Sequence, residues 1–271
     1  MNKKALFLDM DATTLNDEKQ IPEVNMEALR KCIQAGHEVV VTTGRTLSSV
    51  EGLKASSGLG SLGCRYVIAC NGGAIMDCME NKLMFEETIP LEYVYHLVDA
   101  AREEGLYIQT YLEGKVLSER EDENLNVYLS RTNMKALVVP DIKARLRERP
   151  CKMLAIDIKK EEKLHAFAEK MAVWSEGKVD MYFSSREYLE IVPKGVNKGA
   201  GMIKFCELMG IPLSCTIAAG DENNDISMIR AAEVGCAVAN GLDQVKAEAD
   251  YVTSRDNNQG AVAEIIERFV L

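Results

Sequence analysis

A doubly wound, Rossmann-like α/β protein with a parallel sheet and a smaller inserted α/β domain is what this sequence predicts. Three observations lead there. Apolar strand-like runs alternate with helical periodicity at both ends of the chain. The middle differs in texture, being richer in charge and in alternating patterns such as LYIQTYL, MLAIDIKK and VDMYFSS. The alternation typical of the ends resumes only after Val192. The core is therefore expected at residues 1–82 and 190–271, and the insert at residues 83–189.

Along the chain, ALFLD (Ala5–Asp9) is a continuous apolar run suited to a buried parallel strand. Pro22 opens a helical pattern through Val24, Met26, Leu29 and Ile33, closed by Gly36. EVVVTTGR (Glu38–Arg45) reads as the second strand and YVIACNGG (Tyr66–Gly73) as the third. Helices are expected in the insert at Leu91–Glu104 and Glu161–Trp174. The C-terminal part repeats the scheme with a helix at Lys198–Met209, a strand at Thr216–Gly220, a helix at Asn224–Ala232 and a strand at Gly235–Val238. Leu242–Ala249 and Ala261–Phe269 are expected to be helical. Such repeated strand–helix units imply a parallel sheet covered on both faces.

The 271 residues are 47% hydrophobic and 27% charged, enough apolar side chain to bury a full core. A net charge of −10 speaks against a general nucleic-acid binder, because affinity for a phosphate backbone needs basic patches. No apolar run approaches the roughly 18 residues of a membrane span. The Lys3–Lys4 start is not followed by the apolar stretch of a signal peptide, so a cytoplasmic protein without membrane association is expected. The 8 cysteines are scattered, without a C-x-x-C pair, and read as buried structural thiols. The 3 histidines form no motif with a Ser or Cys, which leaves no framework for a His-based triad.

Chemistry concentrates in four short stretches. In LFLDMDATTL (Leu6–Leu15) an apolar strand ends at Asp9, and Asp11 follows two residues later. If the extension continued, both carboxylates would leave the strand's C-terminal end together, where open α/β sheets bind ligands. In GDENNDISM (Gly220–Met228), Asp221 ends another apolar strand and Asn224 and Asp225 enter a helix. Each acid taken singly has an ordinary reading as a turn or helix cap. Four of them (Asp9, Asp11, Asp221, Asp225) at strand ends call for a hard divalent ion, and carboxylate oxygens with retained waters suit Mg²⁺. Thr43 ends the VTTGR strand, where its hydroxyl and nearby backbone N–H groups can hold an anion, with Arg45 following. Lys198 opens a helix in KGVNKGAG, a place the helix dipole does not favour for a lysine. The usual fate of such a lysine is solvation.

These stretches, in order, resemble the four motifs of the haloacid dehalogenase superfamily: Asp9–Leu15, Thr43–Gly44–Arg45, Lys198, and Gly220–Asp225. The long insert between the second and third resembles the C2-type cap of that superfamily's Cof-type phosphatases. Asn71–Gly72–Gly73 is similar to their turn after the third strand, and Tyr188–Lys194 with Val196–Gly199 to their return from cap to core. The resemblance implies an Asp9 nucleophile that forms an aspartyl-phosphate, with Asp11 as general acid and then general base. It implies Mg²⁺ held by Asp9, the backbone carbonyl of Asp11, and Asp221, with Asp225 in direct or indirect support. Thr43 and Lys198 would bind the transferring phosphoryl group, with Gly44, Arg45, Asn71, Gly72 and Asn224 contributing to phosphate or substrate binding. Two departures stand out: Ala12 where the family usually has Gly, and Thr14 where an apolar residue is usual. If position 12 needs φ > 0, an alanine there costs roughly 1–2 kcal/mol.

The expected activity is therefore hydrolysis of a small phosphorylated metabolite of the sugar-phosphate type by a monomer or small homo-oligomer. A phosphomutase or phosphotransferase using the same site, and a non-catalytic module binding phosphorylated ligands, are the alternatives. The insert is expected to supply specificity and to exclude water by closing. Arg120, Arg131 and Arg186 are cationic candidates there, with solvated surface charge as the commoner reading of each.

Overall fold

The computed structural model describes residues 3–271; Met1 and Asn2, at the start of the expected core, lie outside the described residues. Strands are numbered along the chain. The first five are β1 (Ala5–Leu8), β2 (Glu38–Thr42), β3 (Tyr66–Ala69), β4 (Ala74–Asp77) and β5 (Lys82–Glu86). There follow β6 (Tyr107–Leu112), β7 (Lys115–Ser118), β8 (Ala136–Val138), β9 (Met153–Ile156), β10 (Val179–Ser185) and β11 (Tyr188–Pro193). The last three are β12 (Thr216–Gly220), β13 (Val234–Ala237) and β14 (Tyr251–Val252). The chain divides into two compact units: one holds the chain up to Thr46, Leu53–Phe85 and Asn197–Leu271, the other Leu47–Gly52 and Glu86–Val196.

The first unit is built on an eight-stranded sheet in the order β14-β13-β12-β1-β2-β3-β4-β5. Pairing is parallel from β14 to β3, and β4 returns antiparallel to β3. All four residues of β1 are buried, as its unbroken apolar run requires of a strand covered on both faces. Ala5 and Phe7 pack with Met202, Phe205 and Met228, and the Phe7 and Phe205 rings meet edge to face at 5.7 Å. Leu6 and Leu8 point to the opposite face by the alternation of a strand. The helices Glu23–Gln34 and Ala261–Phe269 pack together, as do Lys198–Met209 and Ile226–Ala231. Because β1, β2, β3 and β12 run parallel, the residues that follow them (Asp9, Thr43, Cys70 and Asp221) gather along one edge.

The second unit is a six-stranded sheet in the order β10-β11-β9-β6-β7-β8, antiparallel except between β7 and β8. One face (Ile108, Leu112, Met153, Ala155, Leu189, Ile191) packs against the helices Leu91–Glu103 and Glu161–Ser175 through Leu97, Val98, Leu164 and Phe167. On the other face Tyr107, Leu154 and Ile156 meet Leu125 and Tyr128 of the helix Glu123–Thr132. That helix was not among the sequence expectations; the Asp122 carboxylate caps it by accepting from the N–H groups of Asn124 and Leu125. The same sheet buries an ion pair, Lys152 to Glu190 at 2.7 Å.

Among the described residues no helix is long and apolar enough to cross a membrane. All eight cysteines are free thiols. Arg131 pairs with Glu187, and Arg120 lies over the Tyr107 ring.

Candidate active site

Four loops build the site, each leaving a parallel strand or entering a helix. Asp9 directly follows β1, its N–H bonded to the Ala219 carbonyl of β12. The chain then turns sharply: Ala12 takes a left-handed conformation (φ 56°, ψ 9°), so the extension assumed from the D-x-D spacing does not continue. The buried Thr14 hydroxyl closes this turn by donating to the Asp9 carbonyl at 2.6 Å. After β12, Asp221 is followed by a short turn in which Asp225 Oδ2 accepts from the N–H groups of Asp221 and Glu222, both at 2.9 Å. Gly220 makes this possible, since a Cβ there would lie 2.3 Å from the Asp225 side chain. Lys198 enters through a helix whose start is fixed by the Asn197 side chain, which accepts from the Ala200 N–H at 2.8 Å.

These loops bring Asp9, Asp221 and Asp225 together, each offering a carboxylate oxygen within 4.8 Å of the others. Lys198 is 1% exposed and donates to both Asp9 Oδ1 and Asp225 Oδ1 at 2.5 Å. It is therefore no solvated lysine. Three carboxylates against one ammonium leave an excess of negative charge in a buried place. Burial, and after it the neighbouring Asp225, pushes the Asp221 carboxyl up to about 7, although the Thr13 hydroxyl donates to it at 2.7 Å. Burial likewise raises Asp9 well above the ordinary carboxylate range, against the pull of Lys198. Burial disfavours the Lys198 charge, but Asp225 and Asp9 outweigh it and keep the ammonium protonated. A hard divalent cation fits this donor set, which is all oxygen, carboxylate-rich and short of positive charge.

Asp11 lies apart from the three. Its carboxylate takes a fork from Arg45, with Nε at 2.7 Å and a second guanidinium nitrogen at 2.9 Å, and a bond from Lys19 at 3.0 Å. Burial alone would raise its pKa, but these cations outweigh it and hold the carboxyl at about 2. The four-carboxylate cluster expected from the sequence is thus three side chains, without that of Asp11.

Thr43 is buried, and its hydroxyl accepts from the Arg45 N–H at 3.1 Å. Asn71 and Gly72 are buried in the turn after β3, and Asn71 Oδ1 accepts from Asn224 Nδ2 at 3.0 Å. A Cβ on Gly44 would come within 2.9 Å of the same oxygen. The sequence reading overlooked Thr13, Lys19 and Asn240, whose Nδ2 donates to the Ala12 carbonyl at 2.8 Å. Only Thr13 had a local signal, its place two residues beyond Asp11 in the same turn.

The sequence profile of the haloacid dehalogenase-like hydrolases matches residues 6–266. The chain is 29% identical to the 5-amino-6-(5-phospho-D-ribitylamino)uracil phosphatase YcsE of Bacillus subtilis, over 99% of this chain and 96% of that protein. It is 25% identical to the pyridoxal phosphate phosphatase YbhA of Escherichia coli, over 98% of each. In structure it resembles a haloacid dehalogenase-like hydrolase from Bacteroides thetaiotaomicron, with a TM-score of 0.88 and 29% identity over 98% of this chain and 99% of the other. TM0651 from Thermotoga maritima is similar at a TM-score of 0.85 and 27% identity, covering 100% of this chain and 98% of that one.

Proposed function

Given that the chain belongs to the haloacid dehalogenase-like hydrolases and is a phosphatase, we propose that it hydrolyses small phosphorylated metabolites of the sugar-phosphate type, with Mg²⁺, through an aspartyl-phosphate. The observation that carries this reading is the buried Lys198 ammonium bridging Asp9 and Asp225 with Asp221 beside them. An acid cluster kept short of positive charge at a sheet edge is suited to a cation and to the dianion that comes with it.

In this reading Asp9 attacks phosphorus, its oxygen displacing the alkoxide of the ester. Lys198 partly neutralises Asp9, so that an anionic nucleophile can approach an anionic phosphate, and stays charged throughout. Thr43, Gly44 and Lys198 bind the phosphoryl oxygens, and Asn224 adds a donor. Asp9, Asp221 and the Asp11 carbonyl would hold Mg²⁺, supported by Asp225, whose two oxygens already accept from Lys198 and two backbone N–H groups. When bound, the ion would offset charge on the transferring phosphoryl group.

Asp11 would protonate the departing alkoxide and then take a proton from the hydrolytic water. A carboxylate held at about 2 by Arg45 and Lys19 is a poor proton donor. The fork has to open first, and a substrate phosphate offers Arg45 another anion to pair with. The insert would set which alcohol is accepted. The named activities of the two relatives, on a phosphoribitylaminouracil and on pyridoxal phosphate, support a small phosphomonoester.

The test is orthophosphate release from p-nitrophenyl phosphate and from a panel of phosphorylated metabolites. Release that needs Mg²⁺ and is abolished in Asp9→Asn is the expected result. Undiminished release by the Asn variant would defeat the mechanism, and an isomerised sugar phosphate with little free phosphate would mark a mutase instead.

A further inference from the structure

The turn after β3 is costly in two ways that stability does not explain. Cys70, Asn71 and Gly72 follow one another with φ of 52°, 55° and 102°, three successive left-handed residues of which only the last is a glycine. The Asn71 side chain is fully buried, yet its Nδ2 has no hydrogen-bond acceptor among the described residues. A strained backbone and an unsatisfied buried donor in the same residue are what a functional constraint leaves behind.

The connections made by this turn indicate the constraint. The Cys70 and Asn71 N–H groups donate to the Arg45 and Thr43 carbonyls at 2.8 and 3.0 Å, bracketing Gly44 from both sides. The Asn71 side chain lies against Gly44 so closely that a Cβ there would meet its Oδ1 at 2.9 Å and its Nδ2 at 3.1 Å. The same Oδ1 accepts from Asn224, in the turn that carries Asp221 and Asp225. Gly72 presses on the start of the Lys198 helix, where a Cβ would stand 2.2 Å from the Asn197 carbonyl oxygen. One three-residue turn thus touches the Thr43 loop, the Lys198 helix and the Asp221–Asp225 loop.

From these contacts we infer that Asn71 is a positioning residue, which sets the spacing of Thr43 and Gly44 from Asn224 so that the phosphoryl-binding groups meet one tetrahedral oxyanion. The inference rests on the phosphatase reading above and assigns Asn71 a place one step behind the phosphate rather than against it. Its left-handed backbone makes asparagine or glycine the tolerable residues, and the side chain adds the tie to Asn224.

Asn71→Gly separates the two, because it keeps the backbone and removes the tie. With p-nitrophenyl phosphate and Mg²⁺, this variant should lose on the order of 10- to 100-fold in kcat, the effect of misplacing groups without deleting them. Its melting midpoint should stay within a few degrees of the wild type, and its affinity for orthophosphate, measured by calorimetry, should fall about tenfold. Asn224→Ala should do similar damage. The double variant should be no worse than the poorer single one, since both cut the same tie. Multiplying effects in the double variant, or wild-type kcat and orthophosphate affinity in Asn71→Gly, would overturn the inference. Should the wild type bind orthophosphate but turn over no ester, the phosphatase reading fails, while the affinity cycle still decides the role of Asn71.

Discussion

Each of the two units buries a lysine, and the two lysines face opposite electrostatic situations. Lys152 of the insert meets the Glu190 carboxylate at 2.7 Å; Ser184 donates to the other Glu190 oxygen at 3.0 Å, and the Tyr111 ring lies 5.7 Å from the ammonium. There the acid faces a cation on one oxygen and a hydroxyl on the other. Lys198 of the core meets two carboxylates with a third in the same cluster, so its surroundings hold more negative charge than it can cancel. Burial by itself therefore does not mark a functional lysine. The excess of negative charge around it is the better mark, because buried like charges are costly unless a cation or a proton relieves them.

The comparison breaks most sharply at Asp9, the proposed nucleophile. Asp9→Asn should reduce kcat with p-nitrophenyl phosphate by at least on the order of 10⁴, while retaining a side chain that can accept from Lys198. It should also leave the folded state as stable as before or more so, since it removes one of three crowded carboxylates. A variant that melts normally and hydrolyses normally would mean that the crowded acids of the core are no more functional than the ion pair of the insert.

Replacing each lysine by methionine tests the contrast directly. If Lys198 binds the phosphoryl group as proposed, Lys198→Met should cost roughly 10²–10³ in kcat. Lys152→Met should leave kcat within a few-fold but destabilise the protein by about 3–5 kcal/mol, because Glu190 stays buried without its cation. Adding Glu190→Leu to Lys152→Met should recover most of that stability, read from denaturant midpoints. Recovery by Mg²⁺ instead would show that the insert's pair also belongs to a metal site.

How far these roles could be read in advance depended on how local their causes are. The helix Lys198–Met209 and the strand Thr216–Gly220 fall where the sequence put them, since Asn197 caps the helix and Gly210, at φ 64°, ends it. The strand read through Arg45 ends at Thr42, because Thr43 already leaves the sheet and nothing in VTTGR marks that point. The helix Glu123–Thr132 was missed although Leu125, Tyr128, Leu129 and Thr132 keep helical spacing behind the Asp122 cap. Its interspersed Asn and Ser residues hid the pattern. Spacing suggested that Asp9 and Asp11 share a face. The fate of Asp11 is decided by Arg45, 34 positions away, and by a left-handed alanine, neither of which a two-residue spacing contains.

A smaller difference should appear with pH in the metal-free protein. Asp221 sits at about 7, above the ordinary carboxylate value of 3.8. A folded-state pKa raised in this way gives stability that is full below the unfolded value and is lost as pH rises through the folded one. Between pH 6 and 8 the loss should be about 1–2 kcal/mol, one pKa unit being worth about 1.4 kcal/mol. Mg²⁺ should cancel it, so the melting shift on adding the ion should be larger at pH 8 than at pH 6. Equal shifts at both pH values would mean that the ion does not bind where Asp221 titrates.

The smallest effect concerns Ala12, in the turn that follows β1. Its φ of 56° is one that an L-residue adopts at a cost of roughly 1–2 kcal/mol, whereas a glycine adopts it freely and loses somewhat more entropy on folding. Ala12→Gly should therefore stabilise the protein by about 0.5–1 kcal/mol, visible as a rise of a few degrees in melting midpoint. The turn is held independently by Thr14 on the Asp9 carbonyl, Thr13 on Asp221 and Asn240 on the Ala12 carbonyl. With three such ties the carboxylates should not move when the methyl group goes, and kcat should stay within about twofold. A gain in stability with a loss of turnover greater than tenfold would mean that the strain at Ala12 helps to aim Asp9, and the core would then depend on backbone strain in the Asp9–Leu15 turn as well as in the Asn71 turn.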